Sequence, residues 1–220
     1  MQAHYPQSIV SGGQTGADRG GLIAAAILGY LHGGYCTDDR KAEDGKIPDC
    51  YPMTPCGSGL YPDRTRMNVE CSDATIVFTR EEHASGGSAL TLKLAKQYHR
   101  PAMHVWLEPD RPKESNAQVA KAIRAWLAQV RPRDLNVAGQ RESKAPGIQD
   151  QVAEVMLLAL QSPSRCVCGR EIPDSIWESA RAQDKPLVCS QCDHTTWWND
   201  FDPGDVSLEE SVTPSVDPRG

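Results

Sequence analysis

Ile9 to Ala26 reads IVSGGQTGADRGGLIAAA and changes character twice. Ile9 and Val10 end a β-forming run, Ser11 to Gly16 is a glycine-rich turn, and Ala17 to Ile27 is helix-forming. A strand that turns sharply into a helix opens a βα unit. Gly12, Gly13 and Gly16 let main-chain N–H groups approach a ligand, and the unpaired N–H groups and dipole of the next helix favour an anion. The expected ligand carries phosphate or a similar oxyanion, with Gln14 and Thr15 in the same turn. Asp18 and Arg19, one turn into the helix, add an acceptor for a hydroxyl or amine and a forked donor for phosphate. The pattern is neither GxGxxG nor GxxxxGK[ST], so it marks neither a dinucleotide fingerprint nor a Walker loop. A tight βα turn without a ligand is the alternative.

The chain of 220 residues holds one ordinary domain and something small beside it. With 39% hydrophobic and 24% charged residues the composition is that of a soluble globular protein, and no apolar run approaches the ~20 residues that span a bilayer. MQAHYPQSIV lacks both a basic region and an apolar signal core, so a cytoplasmic location is expected. The net charge of -6 sits mostly beyond residue 199, where six acids face Arg219 alone. The nearly neutral remainder gives no electrostatic footprint for duplex nucleic acid or a membrane.

After the first helix, Tyr30 to Gly33 reads as a second strand, and Gly33-Gly34 opens a long loop dense in charge, including Asp38, Asp39, Lys41, Glu43 and Asp44. A loop of that length next to strand ends suggests a functional lid or rim. Pro62 to Glu70 resembles a short helix. ATIVFT, Ala74 to Thr79, is apolar without alternation, as a parallel strand covered on both faces requires. A second glycine pair, Gly86-Gly87, leads into a helix from about Ser88 to Tyr98. AMHVWL is a fourth strand, Glu114 to Val130 a helix with Trp126 on its core face, Leu135 to Ala138 a fifth strand, and Ile148 to Leu160 an amphipathic closing helix.

Strands separated by helices imply right-handed crossovers and a parallel sheet. The fold expected is α/β, a Rossmann-like parallel sheet of about five strands, in an order such as 3-2-1-4-5 with the ligand outside the carboxyl ends. The loops carrying Gly12-Gly13, Gly86-Gly87 with Ser88 and Thr91, Lys41 to Asp44, and Gly139 to Ser143 with Arg141 then converge on one cleft. No G-x-S-x-G or H-E-x-x-H motif places a nucleophile, so binding is better supported than catalysis.

The segments SGGQTGADRGGLIAA, HGGYCTDDRKAEDGKIP, RTRMNVECSDATIVFTR, SGGSALTLKLAK and LNVAGQRESKAPGI resemble the putative molybdenum carrier family, within the wider Rossmann-like group that includes the lysine-decarboxylase-like phosphoribohydrolases. The match runs from about Ser8 to Leu160. The resemblance implies self-association, as a dimer or tetramer, and a pocket for molybdenum cofactor or another nucleotide-like phosphate ester, held without being transformed. The hydrolase branch carries PGGxGTxxE. Here Ala89 and Leu90 stand for its glycine and threonine, and Lys93 for its glutamate. A lysine cannot replace that carboxylate, so nucleoside 5′-monophosphate hydrolysis is the alternative function, with another carboxylate, Asp18 or Glu43, recruited in its place.

Eight cysteines divide into four scattered ones and two close pairs, Cys166-x-Cys168 and Cys189-x2-Cys192, with 20 residues between the pairs. Four thiolates suit tetrahedral structural Zn²⁺, which so short a segment would need to fold. The expected organisation is a ligand-binding domain over 1–161, a four-cysteine zinc-ribbon-like module over 162–199 that also offers a surface for a protein partner, and a disordered acidic tail over 200–220. Ligand sensing coupled to partner capture through that module is the third functional class.

Overall fold

In the computed structural model, which describes residues 4–109 and 113–161 together with 183, 187–188 and 195–196, ATIVFT is a strand in which every residue is buried. The described elements before residue 162 are β1 (Ser8–Val10), α1 (Ala17–Ile27), β2 (Leu31–Cys36), β3 (Lys41–Ala42), β4 (Gly45–Lys46), β5 (Met53–Pro55), α2 (Tyr61–Glu70), β6 (Ala74–Thr79), α3 (Gly86–Gln97), β7 (Ala102–Trp106), α4 (Lys113–Val130), β8 (Asp134–Gly139) and α5 (Ile148–Leu160). Six strands form one sheet in the order β5-β2-β1-β8-β6-β7, and every neighbouring pair is parallel. β3 and β4 form a separate antiparallel hairpin.

Three features depart from the sequence expectation. Met53–Pro55 adds a sixth strand beside β2, and β8 lies between β1 and β6 instead of at the end of a 3-2-1-4-5 succession. If β8 and α5 are taken as the first βα unit, however, the order from β2 to β7 becomes 3-2-1-4-5 with β5 appended. The switch point then falls between β8 and β6. β2 also runs straight through Gly33-Gly34, because β1 lies so close that a Cβ on Gly34 would overlap Ser11 O. The glycine pair is a site of close strand approach and does not begin the loop.

The two faces of the sheet are covered unequally. On one, α1, α4 and α5 pack together with Ile9, Ile76, Phe78, Leu135 and Val137 into the main core. At about 1.5–3 kcal/mol per fully buried large apolar side chain, this face supplies most of the stabilisation. On the other, α2 and α3 bury only Val69, Leu94 and Ala95 as a separate small cluster. That face carries Thr75, Thr79, Thr91 and Asn136, all buried and polar. A cleft opens there.

Helix ends are set locally. Gly29 (φ 72°) lets the chain leave α1 with Gly29 N and Tyr30 N donating to Ala26 O and Ala25 O. Glu142 accepts from Gly147 N and Gln149 N and so caps the start of α5. No described helix is long and apolar enough to cross a membrane. The four clustered cysteines lie outside the described residues. β9 (Leu187–Val188) and β10 (Thr195–Thr196) pair antiparallel on either side of 189–194 in sequence.

Candidate functional site

The cleft, about 580 Å³, lies at the carboxyl ends of β8 and β6, between the sheet and helices α2 and α3. Its position is the one that an open α/β sheet reserves for a ligand. Of the sequence candidates, Gly12, Gln14, Asp18, Gly86, Gly87, Ser88, Thr91 and Arg141 line it.

At the rim, α3 begins with no side-chain cap, and the N–H groups of Gly86, Gly87 and Ser88 have no protein acceptor among the described residues. Nothing lies within 4 Å of where a Cβ would stand on Gly86 or Gly87. An open helix N-terminus with space in front of it suits an anion, and Arg141 and Lys144 line the same cleft.

Deeper in, Asp18 is almost fully buried and accepts from Gln14 N (3.3 Å) and from Arg64 Nη1 (2.8 Å). The Arg64 guanidinium also lies 5.8 Å from the Tyr61 ring centroid. A Cβ on Gly12 would coincide with Arg64 Nη1, so Gly12 is where the arginine passes to reach Asp18. Sequence reading places Arg64 on a helix but not in the site, and α2 supplies Tyr61, Pro62, Thr65 and Asn68 to the wall as well. Glu81 and Gln140, bonded to each other, bridge the loops after β6 and β8, and Gln140 Oε1 accepts from Arg80 N at 2.7 Å.

The remaining candidates gather in a second cluster outside the cleft lining. Thr15 donates to Glu43, whose carboxylate also accepts from Ser143 N (2.9 Å) and Ser143 Oγ (2.6 Å). Arg19 pairs through both terminal nitrogens with Asp44, and its Nε donates to Gly13 O at 3.3 Å. Burial alone would raise the Glu43 carboxyl, but the bonds from Ser143 and Thr15 and the Arg141 charge outweigh it and hold it below the ordinary range. The Arg19 fork likewise lowers Asp44. Gly13 packs beside Ile47 and Met53, Gly16 lies under the backbone of 140–142, and Lys41 stands in the β3–β4 hairpin.

The loop expected to form a lid is therefore clasped. Arg40 donates to the carbonyls of Ile47, Pro48, Tyr51 and Met53, and Asp38 and Asp39 accept from Gly57 N and Thr37 Oγ1. Its charges are engaged by backbone and side-chain partners. Lys93 is exposed and outside the cleft lining. Among the described residues no group of three or more His, Cys, Asp or Glu is placed to hold a metal ion.

A parallel sheet with a cleft at its switch point, an open helix N-terminus and basic side chains at the rim defines an α/β protein of the Rossmann-like class. The model of the circularly permutated YpsA SLOG family matches residues 9–160, and the chain belongs to that family. In this chain the last strand of the six-stranded sheet in sequence, β8, takes a central place in it. The chain is also similar to a crystal structure, at 1.45 Å resolution, of a putative molybdenum carrier protein from Syntrophus aciditrophicus SB, with 34% identity and a TM-score of 0.67 over 73% of this chain and 98% of that one. No curated protein matches the chain.

Proposed function

We propose that the cleft binds a phosphate-bearing, nucleotide-like ligand, of which molybdenum cofactor is one candidate, and that the protein carries this ligand without transforming it. The observation that carries the reading is the uncapped start of α3, with open space before Gly86 and Gly87 and with Arg141 and Lys144 lining the same cleft. The carrier role is supported by the similar molybdenum carrier protein. It is also supported by the state of the two carboxylates in the cleft, since Asp18 is paired with Arg64 and Glu81 with Gln140. Carboxylates so engaged serve orientation better than proton transfer.

The reading extends to self-association as a dimer or tetramer and to a structural Zn²⁺ held by Cys166, Cys168, Cys189 and Cys192. Ligand sensing with partner capture is the second reading, favoured by the antiparallel pairing of β9 with β10 around the Cys189-x2-Cys192 segment.

Titration of the full chain with nucleoside monophosphates and with molybdenum cofactor tests the proposal. Gly87→Asp has room for its side chain and sets a carboxylate against the phosphate, so affinity should fall tenfold or more. Absence of saturable binding to the unaltered protein, or equal binding by Gly87→Asp, would overturn the reading. Release of ribose 5-phosphate at ~1 per second would replace carriage with hydrolysis.

A further inference from the structure

Asn136 lies in the middle of β8, opposite Val10 on one side and Thr75 on the other, and is 1% exposed. Its side chain is on the α2 and α3 face, since Val137, the next residue, packs against Gly21 of α1 on the other. Nδ2 donates to Thr75 Oγ1 at 3.2 Å, whereas Oδ1 is the one buried side-chain polar atom among the described residues without a hydrogen-bond partner. Native interiors rarely leave such an atom orphaned, because its desolvation is not offset. Asn136 lines the cleft together with Ala138 and Gly139, whose small size leaves room above it.

We infer that Asn136 is a specificity-determining residue whose amide oxygen accepts a hydrogen bond from a hydroxyl or amine of the ligand whose phosphate sits at the start of α3. The inference rests on the ligand class proposed above. A second acceptor stands in the same cleft, because Asp18 engages its partners through Oδ2 alone. The cleft thus has two chemical halves: N–H groups and cations toward α3 and Arg141, and acceptors around Asn136 and Asp18. An inorganic anion satisfies only the first. A molecule that joins a phosphate to a donor-bearing group satisfies both, and a nucleotide does so with either a sugar hydroxyl or an exocyclic amine. A site built around a ligand donor rejects the analogue lacking it strongly, because its own polar atom is then left unpaired.

Calorimetric titration of the full chain with AMP, GMP, IMP, 2′-deoxy-AMP, 3′-deoxy-AMP and inorganic phosphate tests this. At least one analogue lacking a single hydroxyl or amine should bind tenfold or more weakly than its parent. The deoxy pair identifies a sugar hydroxyl as the donor, and IMP identifies a base amine. Asn136→Leu should abolish that difference while leaving affinity for inorganic phosphate within twofold. Asn136→Asp keeps the acceptor and nearly the same shape, so it should preserve the difference while weakening every nucleotide; it also decides the matter if the leucine variant does not fold. Binding of all the nucleotides within twofold of one another, persistence of the difference in Asn136→Leu, or its loss in Asn136→Asp would overturn the assignment and leave the binding proposal standing. Failure of every nucleotide to bind the unaltered chain would overturn the assignment, and failure of molybdenum cofactor as well would remove the binding proposal with it.

Discussion

Gly12 owes its identity to a side chain 52 positions away in sequence, Arg64, which occupies the place of its missing Cβ. Gly12→Ala should expel the guanidinium and leave Asp18 buried with only the Gln14 N–H as partner. We expect a loss of about 2–3 kcal/mol, measurable by urea unfolding, and a similar loss in Arg64→Met. A change in either variant below ~0.5 kcal/mol, the usual range for surface substitutions, would show that the pair is not formed. His104 offers a pH test at the same scale. Thr79 donates its hydroxyl proton to Glu81 O (2.6 Å), so its oxygen receives His104 Nε2–H at 2.8 Å. Burial first, and the His83 charge second, lower the His104 pKa from its ordinary 6.5. A histidine lowered on folding contributes stability that is complete above 6.5 and is lost as pH falls below that value. The melting temperature should therefore fall more between pH 7 and pH 5 in the unaltered protein than in His104→Gln. Parallel profiles would refute the buried neutral imidazole.

At the scale of elements, the β3–β4 hairpin is fastened to the turn before α1 by Glu43, and Asp44 grips Arg19 within that helix. Both carboxylates have lowered pKa values. The clasp is thus complete above their ordinary values of 4.5 and 3.8 and loosens as pH falls below them. Glu43→Gln replaces an ionised acceptor of several hydrogen bonds by a neutral amide. It should cost about 1–2 kcal/mol and speed proteolysis between residues 37 and 59, with ligand affinity within twofold because Glu43 does not line the cleft. A tenfold loss of affinity would return Glu43 to the site. This hairpin also shows where sequence reading stops. The βα turn, ATIVFT, the helix that follows the second glycine pair and the closing helix were legible because local chemistry determines each, although α3 already begins at Gly86. Strand continuation through Gly33-Gly34 was not, since the cause is Ser11 O, just past the end of β1. The length of this loop signalled a lid or rim, but whether the charges of residues 38–44 face solvent or grip neighbouring groups depends on partners as distant as Ser143. Arg64 and Asn136 were missed for the same reason: the first acts through Asp18, and the second is conspicuous only once its missing partner is known.

At the scale of the molecule, moving a βα unit from one end of the chain to the other changes no hydrophobic period and no turn, so local patterns left the place of β8 open. Its central position brings the loop of Gln140, Arg141 and Lys144 to the cleft. The residues that line this cleft run from Gly12 to Lys144, and the family match ends at residue 160. The similar Syntrophus aciditrophicus protein is matched over 98% of its length by 73% of this chain, so that protein consists almost wholly of the shared part. The α/β portion should accordingly fold alone. A fragment ending at Gln161 should melt cooperatively and bind nucleotide or molybdenum cofactor within twofold of the full chain, and the proposed self-association predicts the same dimer or tetramer for both by native mass spectrometry. The full chain should hold one zinc by elemental analysis, and the fragment none. In Cys189→Ser the metal should be lost while ligand affinity is unchanged, since four thiolates bind as a unit. If partner capture is the purpose of the appended segment, a protein partner seen with the full chain should be absent from both altered forms while their clefts still bind. A fragment that fails to fold, or one that folds but loses its ligand, would show that residues beyond 161 belong to the α/β unit.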